Sequence, residues 1–147
     1  MMQKMWKVVF VGAALVAGLA GCGSMAASNT VQLSGAMAGS NEVPGNTSPG
    51  TGIAQATFNK DTNLLTWKIT YSGLTGPASA AHFHGPAAAG ANAGVVIPFN
   101  SPVSPIEGQA TLTAAQAADL LAGKWYANVH TAAHKGGEIR GQLVPQM

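Results

Sequence analysis

The sequence predicts an all-β domain, a sandwich or barrel, interrupted by one short helix. Three observations predict it. Apolar and polar residues alternate over short segments. Turn residues separate those segments throughout the chain. Helical spacing replaces the alternation at one place only, around residues 113–123. Apolar residues make up 47% of the 147, enough to build a core. Charged residues make up only 8%, against roughly 25% in ordinary soluble domains.

Residues 1–21 read as an export signal. Lys4 and Lys7 give a positive start, and the apolar run Val8–Ala17 follows. The run is too short for a membrane span and passes quickly into small residues. It ends in Leu19-Ala20-Gly21-Cys22, which resembles the bacterial lipobox, whose cysteine is acylated and becomes the first residue of the mature chain. Cys22 is the one cysteine of the sequence, so no intramolecular disulfide and no cysteine zinc cluster can form. Acylation accounts for a lone cysteine in an exported protein, and two or more acyl chains are what stable anchoring needs. Gly23 after the cysteine points to the outer membrane, with the domain facing the periplasm or the surface. Loss of Lys4 and Lys7 with the signal leaves five basic and five acidic residues. A neutral domain without clustered cations excludes nucleic-acid binding by a basic patch.

Residues 22–30 are small and polar and read as a tether; the domain occupies 31–147. Val31–Gly35 alternates as a first strand, and Glu42–Gly50 is a loop. Gly52–Asn59 and Leu64–Tyr71 flank Lys60-Asp61-Thr62-Asn63 and read as a β-hairpin. Ala80–His84 is a fourth strand, closed by Gly85-Pro86. Val95–Phe99 is a fifth, placed at an edge because Pro98 cannot donate a ladder hydrogen bond. The Ala- and Gly-rich stretch between them, 86–94, reads as a mobile loop. Glu107–Leu112 is a sixth strand. Thr113-Ala114-Ala115-Gln116 fits a capping box, and Ala117, Ala118, Leu120 and Leu121 continue a helix that stops at Gly123. Trp125–His130 returns to alternation, 131–137 is a loop, and Glu138–Val144 closes the domain.

The histidines carry the chemistry. Residues i and i+2 of a strand share a face, so His82 and His84 stand together, opposite Ala81 and Phe83. In the later strand Trp125, Ala127 and Val129 form the apolar set, and Tyr126, Asn128 and His130 the polar one. If those two strands are neighbours, three imidazoles meet on the outer face of a sheet, and His134 in the following loop supplies a fourth ligand or a gate. Imidazole suits zinc, copper, nickel or iron, and three histidines with one open position suit an exchangeable or catalytic ion better than a closed structural one. An exported setting without thiolates favours copper, with zinc second. The competing reading makes these histidines structural, bonded to loop backbone. Glu138 and Arg140, two apart, read as a structural ion pair, with Glu42 reaching Arg140 to pin the early loop. Trp67 and Trp125 read as core. No nucleophile elbow, glycosidase carboxylate pair or phosphate loop is present.

Four ordered segments carry a family resemblance: Leu33-Ser34-Gly35 with Glu42-Val43-Pro44, then Ala81-His82-Phe83-His84-Gly85-Pro86, then Gly123–Thr131, then Gly136–Leu143. Over residues 31–144 the chain resembles a CHRD domain, the module first named from chordin. The resemblance implies an immunoglobulin-like or superoxide-dismutase-like antiparallel β-sandwich. It implies little about activity, and in that family the position of His134 often holds another residue. The bimetallic centre of copper/zinc superoxide dismutase needs six histidines and an aspartate. Four histidines in all leave room for one ion at most. Three functions stay open: a non-enzymatic metal-binding lipoprotein, a metal-free structural or adhesive envelope module, and a mononuclear copper redox enzyme. The balance leans away from an enzyme.

Overall fold

The computed structural model describes residues 29–147. The expected export signal, Cys22 and the tether as far as residue 28 lie outside the described residues. Thr30, expected to end the tether, is already the first residue of β1.

Eight strands and one helix follow in the order β1 (Thr30–Ala38), β2 (Thr51–Asn59), β3 (Leu64–Ser72), β4 (Ala78–His84), β5 (Val95–Pro98), β6 (Ile106–Thr111), α1 (Ala114–Leu121), β7 (Trp125–Thr131) and β8 (Ile139–Pro145). All pairings are antiparallel. The strands form one sheet in the order β5-β4-β7-β8-β1-β2-β3-β6, so the all-β expectation with a single short helix holds. The two layers of the expected sandwich are the halves of one curled sheet. Four strands separate β3 from β4 in that order, yet the Trp67 ring on β3 lies 5.3 Å from Phe83 on β4 and 5.5 Å from Phe99. The sheet folds over and buries its inner face, where Leu33, Phe58, Leu65, Ile69, Phe83, Trp125, Ile139 and Leu143 are almost fully buried.

Local chemistry sets the element ends. In the β2–β3 hairpin Asn59 Oδ1 accepts from the Asp61 and Thr62 N–H groups at 2.9 and 3.1 Å. Asn63 takes φ 54°, a left-handed conformation that asparagine tolerates better than most residues. In α1 the Thr113 hydroxyl accepts from Gln116 N–H while the Gln116 side chain accepts from Thr113 N–H, at 3.2 and 2.9 Å. Gly123 at φ 70° ends it. β5 lies at one edge of the sheet as Pro98 predicts, and β6 lies at the other.

The two halves of the sheet join where β1 pairs with β8. Small residues make that seam. A Cβ on Gly35 would stand 2.3 Å from the Gln142 carbonyl oxygen, and one on Gly141 2.9 Å from that of Ala36.

Candidate metal centre

Strand register builds the site. β4 pairs with β7 so that His82 faces Asn128, His84 faces Tyr126, and Ala80 faces His130. β7 pairs with β8 so that Asn128 faces Arg140 and Tyr126 faces Gln142. The alternation that puts Ala81, Phe83, Trp125, Ala127 and Val129 in the core therefore sends His82, His84, Tyr126, Asn128, His130 and Arg140 to the other face.

That face is not open. Tyr126 is 2% exposed, Asn128 3%, Arg140 2% and His84 9%. The cover is the 85–94 loop, expected to be mobile. Gly85 N–H donates to Gly94 O at 3.2 Å and Ala87 N–H to Lys124 O at 2.8 Å. Ala93 N–H donates to Tyr126 Oη at 3.1 Å. Gln142 Nε2 donates to Ala87 O at 3.0 Å, Arg140 to Asn92 Oδ1 at 2.9 Å and also to Ala91 O, and Asn92 Nδ2 to Val43 O at 3.1 Å. A composition of Ala and Gly signals freedom, but here backbone groups of Gly85, Ala87, Ala91, Ala93 and Gly94 and the Asn92 side chain tie the loop down.

Beside this strap the three imidazoles converge, His84 buried beneath it and His82 and His130 half-buried. Each of His82, His84 and His130 offers one ring nitrogen, and the three lie within 4.8 Å of one another. His82 Nδ1 is 3.2 Å from His130 Nε2. Two nitrogens bound to one tetrahedral ion at about 2.0–2.1 Å would stand about 3.3–3.4 Å apart, so this pair is already spaced as two ligands. The remaining contacts fix the tautomers. His84 Nδ1 bonds the Ala93 carbonyl at 3.0 Å and His130 Nδ1 the Lys135 carbonyl at 2.9 Å. A carbonyl only accepts, so each ring carries its proton on Nδ1 and offers the Nε2 lone pair. Outer partners of this kind orient metal-binding histidines. His84 Nε2 is buried with no hydrogen-bond partner.

Electrostatics favour the neutral form of His82 and His84. Burial, reinforced by the His130 and His84 charges, lowers the pKa of His82. Burial lowers that of His84 as well, the Ala93 bond opposes it, and the His130 and Arg140 charges add to it. Neutral imidazole is the form that binds metal.

His134 is not brought into the group. It sits in the turn between β7 and β8, where its N–H bonds Thr131 O at 3.2 Å and its carbonyl accepts from Gly137 N–H at 3.1 Å.

The expected pairing of Glu138 with Arg140 does not form. Among the described residues the ion pairs are Lys68–Glu107 at 2.8 Å and Lys124–Asp119 at 3.9 Å. Glu138 precedes β8, is fully buried, and accepts from Ser48 Oγ at 2.6 Å, Thr75 N at 2.7 Å, Thr75 Oγ1 at 2.9 Å and Thr131 Oγ1 at 2.6 Å. Burial pushes its carboxyl up, and these bonds outweigh it, holding the pKa down at about 2. Arg140 instead lays its guanidinium over Tyr126, 3.3 Å from the ring centroid, and Tyr126 stacks on His84 with centroids 4.9 Å apart and planes 2° from parallel. The Tyr126 layer between His84 and Arg140 was not legible in the sequence, because it depends on the β4-β7-β8 order.

Glu42 stays beyond ion-pair distance of Arg140, so the early loop is pinned otherwise: Asn41 Nδ2 donates to Arg140 O and Asn46 Nδ2 to Glu138 O, each at 3.1 Å. Burial pushes the Glu42 carboxyl up to about 7, and Arg140, Asn128 and the Val43 backbone only partly offset this. The native carboxyl thus keeps its proton to about pH 7, while the unfolded one releases it near 4.5. Stability contributed at low pH is therefore lost as pH rises from 4.5 through 7. Glu42→Gln should match the wild type at pH 4 and exceed it by about 2 kcal/mol at pH 8, read by urea unfolding at the two pH values. Equal gains at both would contradict the shift.

Searches of the curated proteins and of the solved structures return no match. A family model, the CHRD domain, matches residues 33–143. That span runs from the middle of β1 to the middle of β8 and takes in the three converging histidines, the strap beside them and both halves of the sheet. The chain belongs to the CHRD domain family.

Proposed function

We propose that this protein is a lipid-anchored module of the bacterial cell envelope that binds a single transition-metal ion, copper before zinc, through His82, His84 and His130. The observation that carries the reading is the convergence of the three ring nitrogens within 4.8 Å, with two of the rings oriented by backbone carbonyls. Three neutral nitrogens leave a coordination position for an exchangeable ligand. The protein's role in this reading is storage, delivery or protection at the cell envelope. The anchor would be the acylated Cys22, with the outer membrane favoured as its site.

The test is metal content after purification from copper- or zinc-supplemented medium. The wild type should carry about one ion per chain, and the His82→Ala/His84→Ala/His130→Ala variant essentially none, because removing all three ligands leaves no site. Equal content in both would leave a metal-free structural or adhesive module. In the same cells Cys22→Ser should leave the membrane fraction; retention there would refute the anchor.

A further inference from the structure

We propose that the three-histidine site discriminates by ionic charge, holding cuprous copper, Cu(I), in preference to divalent ions, with Arg140 acting through Tyr126 and His84 as the positioning residue that sets the preference. The proposal rests on the metal-binding reading above.

The donor set is uncharged. Among the described residues no carboxylate or thiolate joins the three imidazoles. The buried carboxylate of Glu138 is committed to Ser48, Thr75 and Thr131. An ion bound by three neutral nitrogens keeps its full charge.

A fixed cation stands behind one of the ligands. Arg140 is 2% exposed and among the described residues has no carboxylate within 4 Å. β7 lies between β4 and β8, so the guanidinium and the His84 imidazole occupy opposite faces of the Tyr126 ring. The two stacking distances put the cation roughly 8 Å from the His84 ring, a range at which a buried unit charge is felt strongly. Positive charge added on an ion bound at His84 is repelled by that guanidinium. Glu42, whose carboxyl lies close enough to feel Arg140, is buried and held largely protonated up to about pH 7. A second unit of charge on the ion is therefore opposed twice, by an uncharged donor set and by a cation.

Coordination number points the same way. Cu(II) prefers a tetragonal set of four, and among the described residues three imidazoles converge, without His134. Three nitrogens satisfy Cu(I).

The test uses the full chain stripped of metal. Cu(I) affinity is read anaerobically against a chromophoric cuprous chelator, Cu(II) affinity against a cupric chelator. Wild type should hold Cu(I) more tightly than Cu(II) by at least about tenfold. Arg140→Gln should shift the ratio toward Cu(II) on the order of tenfold, equivalent to a fall of about 59 mV in the potential of the bound ion. Arg140→Lys, which keeps the charge and loses the planar fork, should keep the wild-type ratio within about twofold. A purely structural role for Arg140 would weaken both ions alike and leave the ratio unchanged, overturning the proposal. Should Arg140→Gln fail to fold, the wild-type comparison decides alone: equal affinities overturn the proposal while sparing the metal reading. Failure of the wild type to bind either ion overturns both.

Discussion

Replacing Glu138 by alanine is expected to lower the unfolding free energy by on the order of 4 kcal/mol, an unusually large effect for one residue. The carboxylate accepts four hydrogen bonds from three separated stretches: Ser48 after β1, Thr75 between β3 and β4, and Thr131 at the end of β7. Truncation takes the acceptor from all four donors at once, among them the fully buried Thr131 hydroxyl, and an unpaired buried donor costs about 1–3 kcal/mol. Urea unfolding should show a lower midpoint at an unchanged slope; a loss under about 1 kcal/mol would mean that water or a neighbour replaces the carboxylate. The pH dependence follows from the same bonds. The native pKa is held at about 2 against an ordinary 4.5. Its stabilisation is present above 4.5 and is lost as pH falls from there through about 2, a swing on the order of 3 kcal/mol. The Glu138→Gln variant should lack most of that acid-side swing, so the two unfolding curves should approach each other near pH 2.

Gly35→Ala is expected to be at least as damaging, on the order of 3–5 kcal/mol or outright failure to fold. Its Cβ would meet the Gln142 carbonyl oxygen at 2.3 Å and the carbon at 2.9 Å. Both are backbone atoms, so no side chain can swing aside, and the strands must part where the two halves of the sheet join. Gly76→Ala is the control, since nothing lies within 4 Å of its added methyl; it should change stability by less than about 0.5 kcal/mol. Soluble yield and near-ultraviolet circular dichroism compare the two. A well-folded Gly35→Ala protein would show that β1 and β8 can separate without loss.

What the sequence discloses here is what depends on near neighbours. The β2–β3 hairpin follows from Asn59 to Asn63, and α1 from Thr113, Gln116 and Gly123. The edge position of β5 follows from Pro98. The faces of β4 and β7 follow from alternation, and once the two strands pair, the meeting of His82, His84 and His130 is a consequence of register. The rest is set by distant partners. The 85–94 loop is anchored through its peptide groups, which composition does not encode. Glu138 and Arg140, two apart, part company because one precedes β8 and turns to Thr75 and Thr131 while the other lies within β8 and reaches Tyr126. Tyr126 and Asn128 on the polar face of β7 are buried because chain from other regions is laid across them, and alternation reports only which side a residue points to.

The curled sheet does not close on itself, so β5 and β6 each carry a border of unsatisfied peptide groups, the kind of border on which another chain can template. Both borders are guarded. β5 is only four residues long and ends at Pro98, which has no N–H to lend to an incoming strand. β6 follows Pro105 and turns Glu107, Gln109 and Thr111 outward, with Glu107 holding Lys68 beside it. An architecture open at both ends thereby resists polymerising with its own copies, which matters most where many molecules crowd together.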